Sequence, residues 1–157
     1  MAERPARVFI TGASGFIGRR LAERYRELGS EVRGVDVRAD DEHDVVAGDV
    51  SEAGAWQDQA EGCDVVIHTA ARIGFGGDPA VYWKVNVAGT RHALDAAVRA
   101  RAGRFVQLSS IVVFGNDYAD GADETWPVRP TGSPYTDMKV AAEQVVLAAH
   151  AAGEIPC

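Results

Sequence analysis

A short apolar run, Arg7 to Thr11, passes without a break into Gly12-Ala13-Ser14-Gly15-Phe16-Ile17-Gly18, and this junction constrains the chain more than any other feature. Apolar residues that stop at a glycine read as a buried strand. The segment behind it has helical spacing: Ile17, Leu21 and Leu28 share one stripe, Arg19, Arg20, Glu23 and Arg26 face water, and Gly29 ends the run. Each glycine has a physical task. Gly12 permits a tight turn off the strand, Gly15 lets backbone N–H groups close on a ligand, and Gly18 lets the helix pack tightly against the strand. The helix N-terminus then presents unpaired donors and its positive dipole end to a phosphate.

The same alternation continues along the chain. Further strands are predicted at Glu31–Asp36, 44–47, 64–69 and 104–109, with helices at 16–28, 54–60 and 80–101. A last helix opens at Pro134 with the stripe Tyr135, Met138, Ala142, Val145, Val146 and Ala149, after a loop over 115–133 rich in Gly, Pro and Asp. Near-continuous apolar strands alternating with helices imply an α/β fold. The expectation is a Rossmann-type doubly wound parallel sheet of order 3-2-1-4-5, a single domain over 1–157 without repeats or linkers.

Bulk properties narrow the partners. A net charge of −7 leaves no basic excess for nucleic acid. No apolar stretch is long enough for a bilayer and the first residues do not resemble a signal peptide, so no membrane partner and a cytoplasmic location are expected. The 2 cysteines, Cys63 and Cys157, suit neither a disulfide framework nor a metal knuckle. His68, at the end of a core strand with no second ligand spaced to join it, reads as structural, and no metal is expected. Trp56, Trp83 and Trp126 read as packing residues.

Two acid–base features point to chemistry. Asp36 closes the second strand, placed to accept hydrogen bonds from an adenosine ribose and to repel a 2′-phosphate, so NAD is favoured over NADP. Arg38 is a counter-signal, since a guanidinium can pair with that phosphate; its other reading is a solvated loop charge. Tyr135 and Lys139 lie one helical turn apart on one face, where an ammonium favours the phenolate. Tyr135 can then exchange a proton with an alcohol or carbonyl oxygen.

With these residues in their order, the chain resembles the extended short-chain dehydrogenase/reductases, the NAD-dependent epimerase/dehydratase family. The likeness runs from Arg7 to about Ala149. It rests on the glycine spacing, Gly48-Asp49-Val50, His68-Thr69-Ala70-Ala71, Asn86-Val87-Ala88-Gly89-Thr90, and Ser109-Ser110-Ile111-Val112-Val113-Phe114-Gly115. The resemblance implies a cofactor path lined by Gly12, Gly15, Phe16, Ile17, Gly18, Asp36, Asp49, Val50, Thr69, Ala70, Ala71 and Asn86, with Tyr135 and Lys139 at its nicotinamide end. It implies that Ser110 binds the reacting oxygen of a small-molecule substrate. Phe114 and Met138 depart from the family pattern, which has Tyr and a small residue there.

The largest departure follows Lys139, where 18 residues remain and the family's C-terminal substrate segment is absent. The resemblance implies an oxidoreductase, epimerase or dehydratase acting on a sugar nucleotide or hydroxysteroid-like alcohol. The alternative is a dinucleotide-binding module without turnover. Without a sixth strand, residues 104–109 are expected to form an exposed edge with unpaired backbone groups and apolar Phe105, Val106 and Leu108, prone to self-association or dimerisation.

Overall fold

The computed structural model describes residues 4–74, 78–115 and 117–157. Five strands alternate with helices: β1 (Arg7–Thr11), α1 (Phe16–Glu27), β2 (Glu31–Asp36), β3 (Val45–Ala47), β4 (Val65–His68), α2 (Pro79–Tyr82), α3 (Gly89–Arg99), β5 (Arg104–Gln107) and α4 (Pro134–Ala151). The strands form one parallel sheet of order β3-β2-β1-β4-β5. This is the expected doubly wound α/β arrangement. Strand order reverses between β1 and β4, so the loops leaving their C-terminal ends splay apart and open a crevice.

Two apolar layers flank the sheet. Val8, Ile10, Val32, Val45 and Ile67 pack with Ala22, Leu21 and Tyr25 of α1. Phe9, Val35, Val66 and Phe105 face Leu94 and Ala97 of α3, Val146 and Ala149 of α4, and Trp56, whose ring lies 6.4 Å from that of Phe9. Close approach decides two glycines. A Cβ on Gly34 would stand 2.6 Å from Ala13 Cβ, and one on Gly48 would stand 2.6 Å from Trp56 Cβ.

Several local expectations need correction. The buried stripe of α1 is Gly18, Leu21, Ala22 and Tyr25, while Ile17 and Leu28 are largely exposed. In α4 the buried face holds Thr136, Lys139 and Val140 beside Ala142, Val146 and Ala149. Residues 54–60 contain a 3₁₀ turn, Ala55–Ala60, in place of an α-helix. The long helix over 80–101 is not one α-helix, because a π-helical segment, Trp83–Ala88, separates α2 from α3. Trp83 is 52% exposed and so is not a core residue, and Cys63 is buried.

The β5 edge is also less open than expected. Phe105 is fully buried and donates its N–H to the Pro156 carbonyl at 2.9 Å. Ile155 anchors that tail in the core, and the Cys157 N–H donates to His150 Nδ1 at 3.1 Å. Val106 and Leu108 remain exposed on the sheet face. Among the described residues no helix is long and apolar enough to cross a membrane.

Candidate cofactor-binding and active site

A cleft of about 820 Å³ opens at the crevice between β1 and β4. One wall is the turn after β1. Gly12 has φ +71°, and a Cβ there would stand 2.8 Å from the Ala70 nitrogen. A Cβ on Gly18 would stand 2.1 Å from the Gly12 carbonyl oxygen, inside any tolerable contact. Gly15 caps α1 with extended backbone, and no side chain takes up the N–H groups of the first turn. Those donors face the cleft, as an anion site requires. Gly12, Gly15, Phe16, Ile17, Gly18, Asp36, Asp49 and Val50 all line it. Phe16 is 89% exposed, so an aromatic ring stands unshielded at the mouth.

Asp36 does more than the sequence indicated. Its Oδ2 accepts the Ser14 N–H at 3.1 Å and its Oδ1 accepts the Val37 N–H at 2.8 Å. One carboxylate therefore ties the end of β2 to the turn after β1. Asp49 accepts the Ser51 N–H at 2.9 Å, which fixes the bend over which Val50 enters the core. Arg38 is exposed and lies outside the cleft lining.

The opposite wall is built from β4, β5 and α4. Thr69, Ala70, Ala71, Tyr135 and Lys139 line it. The Thr69 hydroxyl donates to the Thr11 carbonyl at 2.7 Å, holding the two crossover loops together. Lys139 is buried and donates from Nζ to the Leu108 carbonyl at 2.6 Å. Its pKa is lowered by burial, and Glu143 opposes that shift.

Two further residues expected at the site are not in the cleft lining but lie next to residues that are, Arg72 and Ser109. Asn86 is buried off the cleft, in the π-helical segment, where its side chain accepts the Arg72 N–H at 2.8 Å and donates to the Arg72 carbonyl at 3.0 Å. Ser110 caps the 3₁₀ turn Ile111–Phe114, and Ser109 lines the cleft beside it, donating to the Glu143 carboxylate. Val37, Arg72, Ile73 and Ser109 also line the cleft, and Ser14 joins Asp36 through its N–H. The serine doublet at the end of β5 was the one signal available for Ser109. Part of the 73–78 loop lies outside the described residues.

The NAD dependent epimerase/dehydratase family model matches residues 8–157. The chain belongs to this family. It is 36% identical over 156 residues to a 3 beta-hydroxysteroid dehydrogenase/Delta 5-->4-isomerase of Mycobacterium tuberculosis, an alignment covering 90% of this chain and 42% of that protein. In structure it is similar to a short-chain dehydrogenase/reductase superfamily protein from Agrobacterium tumefaciens with bound NAD. The TM-score is 0.84 and the identity 31%, covering 95% of this chain and 46% of that one. It is also similar to MoeE5 in complex with UDP-glucose and NAD, with TM-score 0.78 and 35% identity over 94% of this chain and 50% of that one. The chain thus spans about half the length of the relatives it matches.

Proposed function

We propose that this chain is the NAD-binding and acid–base portion of an enzyme that oxidises, reduces, epimerises or dehydrates at a hydroxyl- or keto-bearing carbon. The substrate class is a sugar nucleotide or a hydroxysteroid-like alcohol, as the named relatives suggest. The observation that carries the proposal is a single cleft with the Gly12–Gly18 turn and Asp36 on one wall and Tyr135 with Lys139 on the other.

The residues fit the cofactor. First-turn donors without a side-chain cap suit a pyrophosphate, and the close Gly12–Gly18 contact, which no Cβ could enter, holds the helix end against the turn. Asp36 faces the ribose and disfavours a further phosphate, so NAD binds more tightly than NADP. A bound nicotinamide supplies the hydride acceptor or donor.

The chain's own residues supply the rest. Tyr135 takes the hydroxyl proton as the carbon is oxidised and returns it in the reverse direction. Lys139, held by the Leu108 carbonyl, places positive charge on the same helical face, beside the site of proton exchange. Ser110 accepts the Val112 N–H at 3.5 Å, and its hydroxyl proton is available to the reacting oxygen.

A second reading is a dinucleotide-binding module without turnover. Calorimetric titration with NAD and NADP, run beside a turnover screen of candidate alcohols, tests both readings. NAD binding tighter than NADP with turnover supports the enzyme. NAD binding without turnover supports the module.

A further inference from the structure

His68 is 1% exposed at the end of β4, with its ring stacked 6.2 Å from that of Phe105. Its Nδ1 lies 2.6 Å from Thr11 Oγ1. The Thr11 oxygen also accepts the Ala70 N–H at 3.3 Å, so its own proton is free to point at Nδ1. With Thr11 as the donor, the imidazole proton sits on Nε2, an atom that is buried and has no hydrogen-bond partner among the described residues. Gln107 pairs with His68 in the β4–β5 register, and its Oε1 is likewise buried without a partner. One orphan is a donor and the other an acceptor, and they occur at paired positions.

The polar path continues beyond Gln107. Its Nε2 donates to Thr90 Oγ1 at 3.4 Å, and the Thr90 hydroxyl donates to the Asn86 carbonyl at 2.7 Å. The Asn86 side chain then holds Arg72 through both its N–H and its carbonyl. We infer that one bridging water joins His68 Nε2 to Gln107 Oε1 and makes them each other's polar partners. A single buried chain of hydrogen bonds then runs Ala70–Thr11–His68–Gln107–Thr90–Asn86–Arg72 and holds the loop that lines the nicotinamide side of the cleft.

Both ends of this chain terminate in the same short loop, which is how a set of core side chains fixes a cleft wall they do not touch. His68, Gln107 and Asn86 are thus positioning residues. Burial and the neighbouring Lys139 charge lower the His68 pKa to about 3, so the ring stays neutral and keeps one tautomer. The positioning role rests on the cofactor reading of the cleft; the hydrogen-bond chain itself does not.

Imidazole ¹⁵N spectra of the full chain without NAD test the chain of bonds. The expected result is a neutral His68 protonated on Nε2 from about pH 8 to about pH 5, with Gln107→Leu shifting the Nε2 resonance more than Nδ1. Protonation on Nδ1, or titration near the usual value of about 6.5, overturns the inference. Calorimetry then tests the positioning role. His68→Leu should weaken NAD binding about tenfold, and His68→Asn, whose amide oxygen can replace Nδ1 toward Thr11, should recover part of the loss.

If His68→Leu does not fold, Gln107→Leu carries the test, with about threefold weaker binding expected. NAD affinity unchanged in every folded variant overturns the positioning role. A wild-type chain with the Nε2–H signature but no NAD binding supports the hydrogen-bond chain and overturns the cofactor reading of the cleft.

Discussion

The two walls of the cleft are built by different means. The wall after β1 is backbone: glycines at van der Waals limits, a helix end without a side-chain cap, and one carboxylate tying β2 to the turn. The wall after β4 is side chain: Thr69 on Thr11, Asn86 on Arg72 and Lys139 on Leu108 join residues far apart in sequence. A backbone wall is specified by consecutive residues and tolerates almost no added atom. A side-chain wall is specified by distant partners and fails in graded steps as single bonds are removed.

The sharpest way to break the contrast is Gly18→Ala. Its Cβ would stand 2.1 Å from the Gly12 carbonyl oxygen, so the helix must move off the turn. NAD binding should fall by more than about 100-fold, read by calorimetry, with a lowered melting temperature. Binding within a few-fold of wild type would mean that the backbone wall has slack.

On the opposite wall, Tyr135→Phe removes a proton carrier and leaves the scaffold intact. In a chimera supplying the C-terminal half of a hydroxysteroid-type relative, turnover should fall about 10²–10⁴-fold while NAD affinity holds. Retained turnover would place the proton path elsewhere.

Acid stability separates the walls by pH. The His68 pKa is about 3 in the fold, below its unfolded value, so between those values the unfolded chain binds more protons. The stability that a neutral His68 confers is full above about pH 6.5 and is lost as pH falls toward about 3, by about 1.4 kcal/mol per unit. Denaturant melts at several pH values check this, and His68→Asn should flatten the slope.

Asp36→Ala is the mildest of the four, since it removes two side-chain-to-backbone hydrogen bonds and leaves the glycine turn in place. It should weaken NAD about tenfold and erase the preference over NADP, both measurable by titration. A preserved preference would shift the discrimination to another group.

This contrast also explains what the sequence revealed. Sheet order, the Gly12–Gly18 turn, Asp36, and the shared face of Tyr135 and Lys139 depend on local spacing, and each was legible. The π-helical segment was not, because apolar periodicity over 80–101 reads the same for a continuous helix, and one widened turn decides where Asn86 points. The bond between Asn86 and Arg72 is therefore invisible to the sequence pattern. His68 read as core filling because its partners, Thr11 and Gln107, lie on two other strands. The tail over β5 was missed because Pro156 donates nothing and offers only a carbonyl.

The central claim is that both walls close on one nicotinamide dinucleotide. Backbone hydrogen exchange of the full chain, with and without saturating NAD, tests it most directly. The account predicts slowed exchange on addition of NAD in two separated segments, 12–18 and 69–72, and unchanged exchange in the tail at 154–157. Protection confined to one of the two segments, or absent from both, would contradict it.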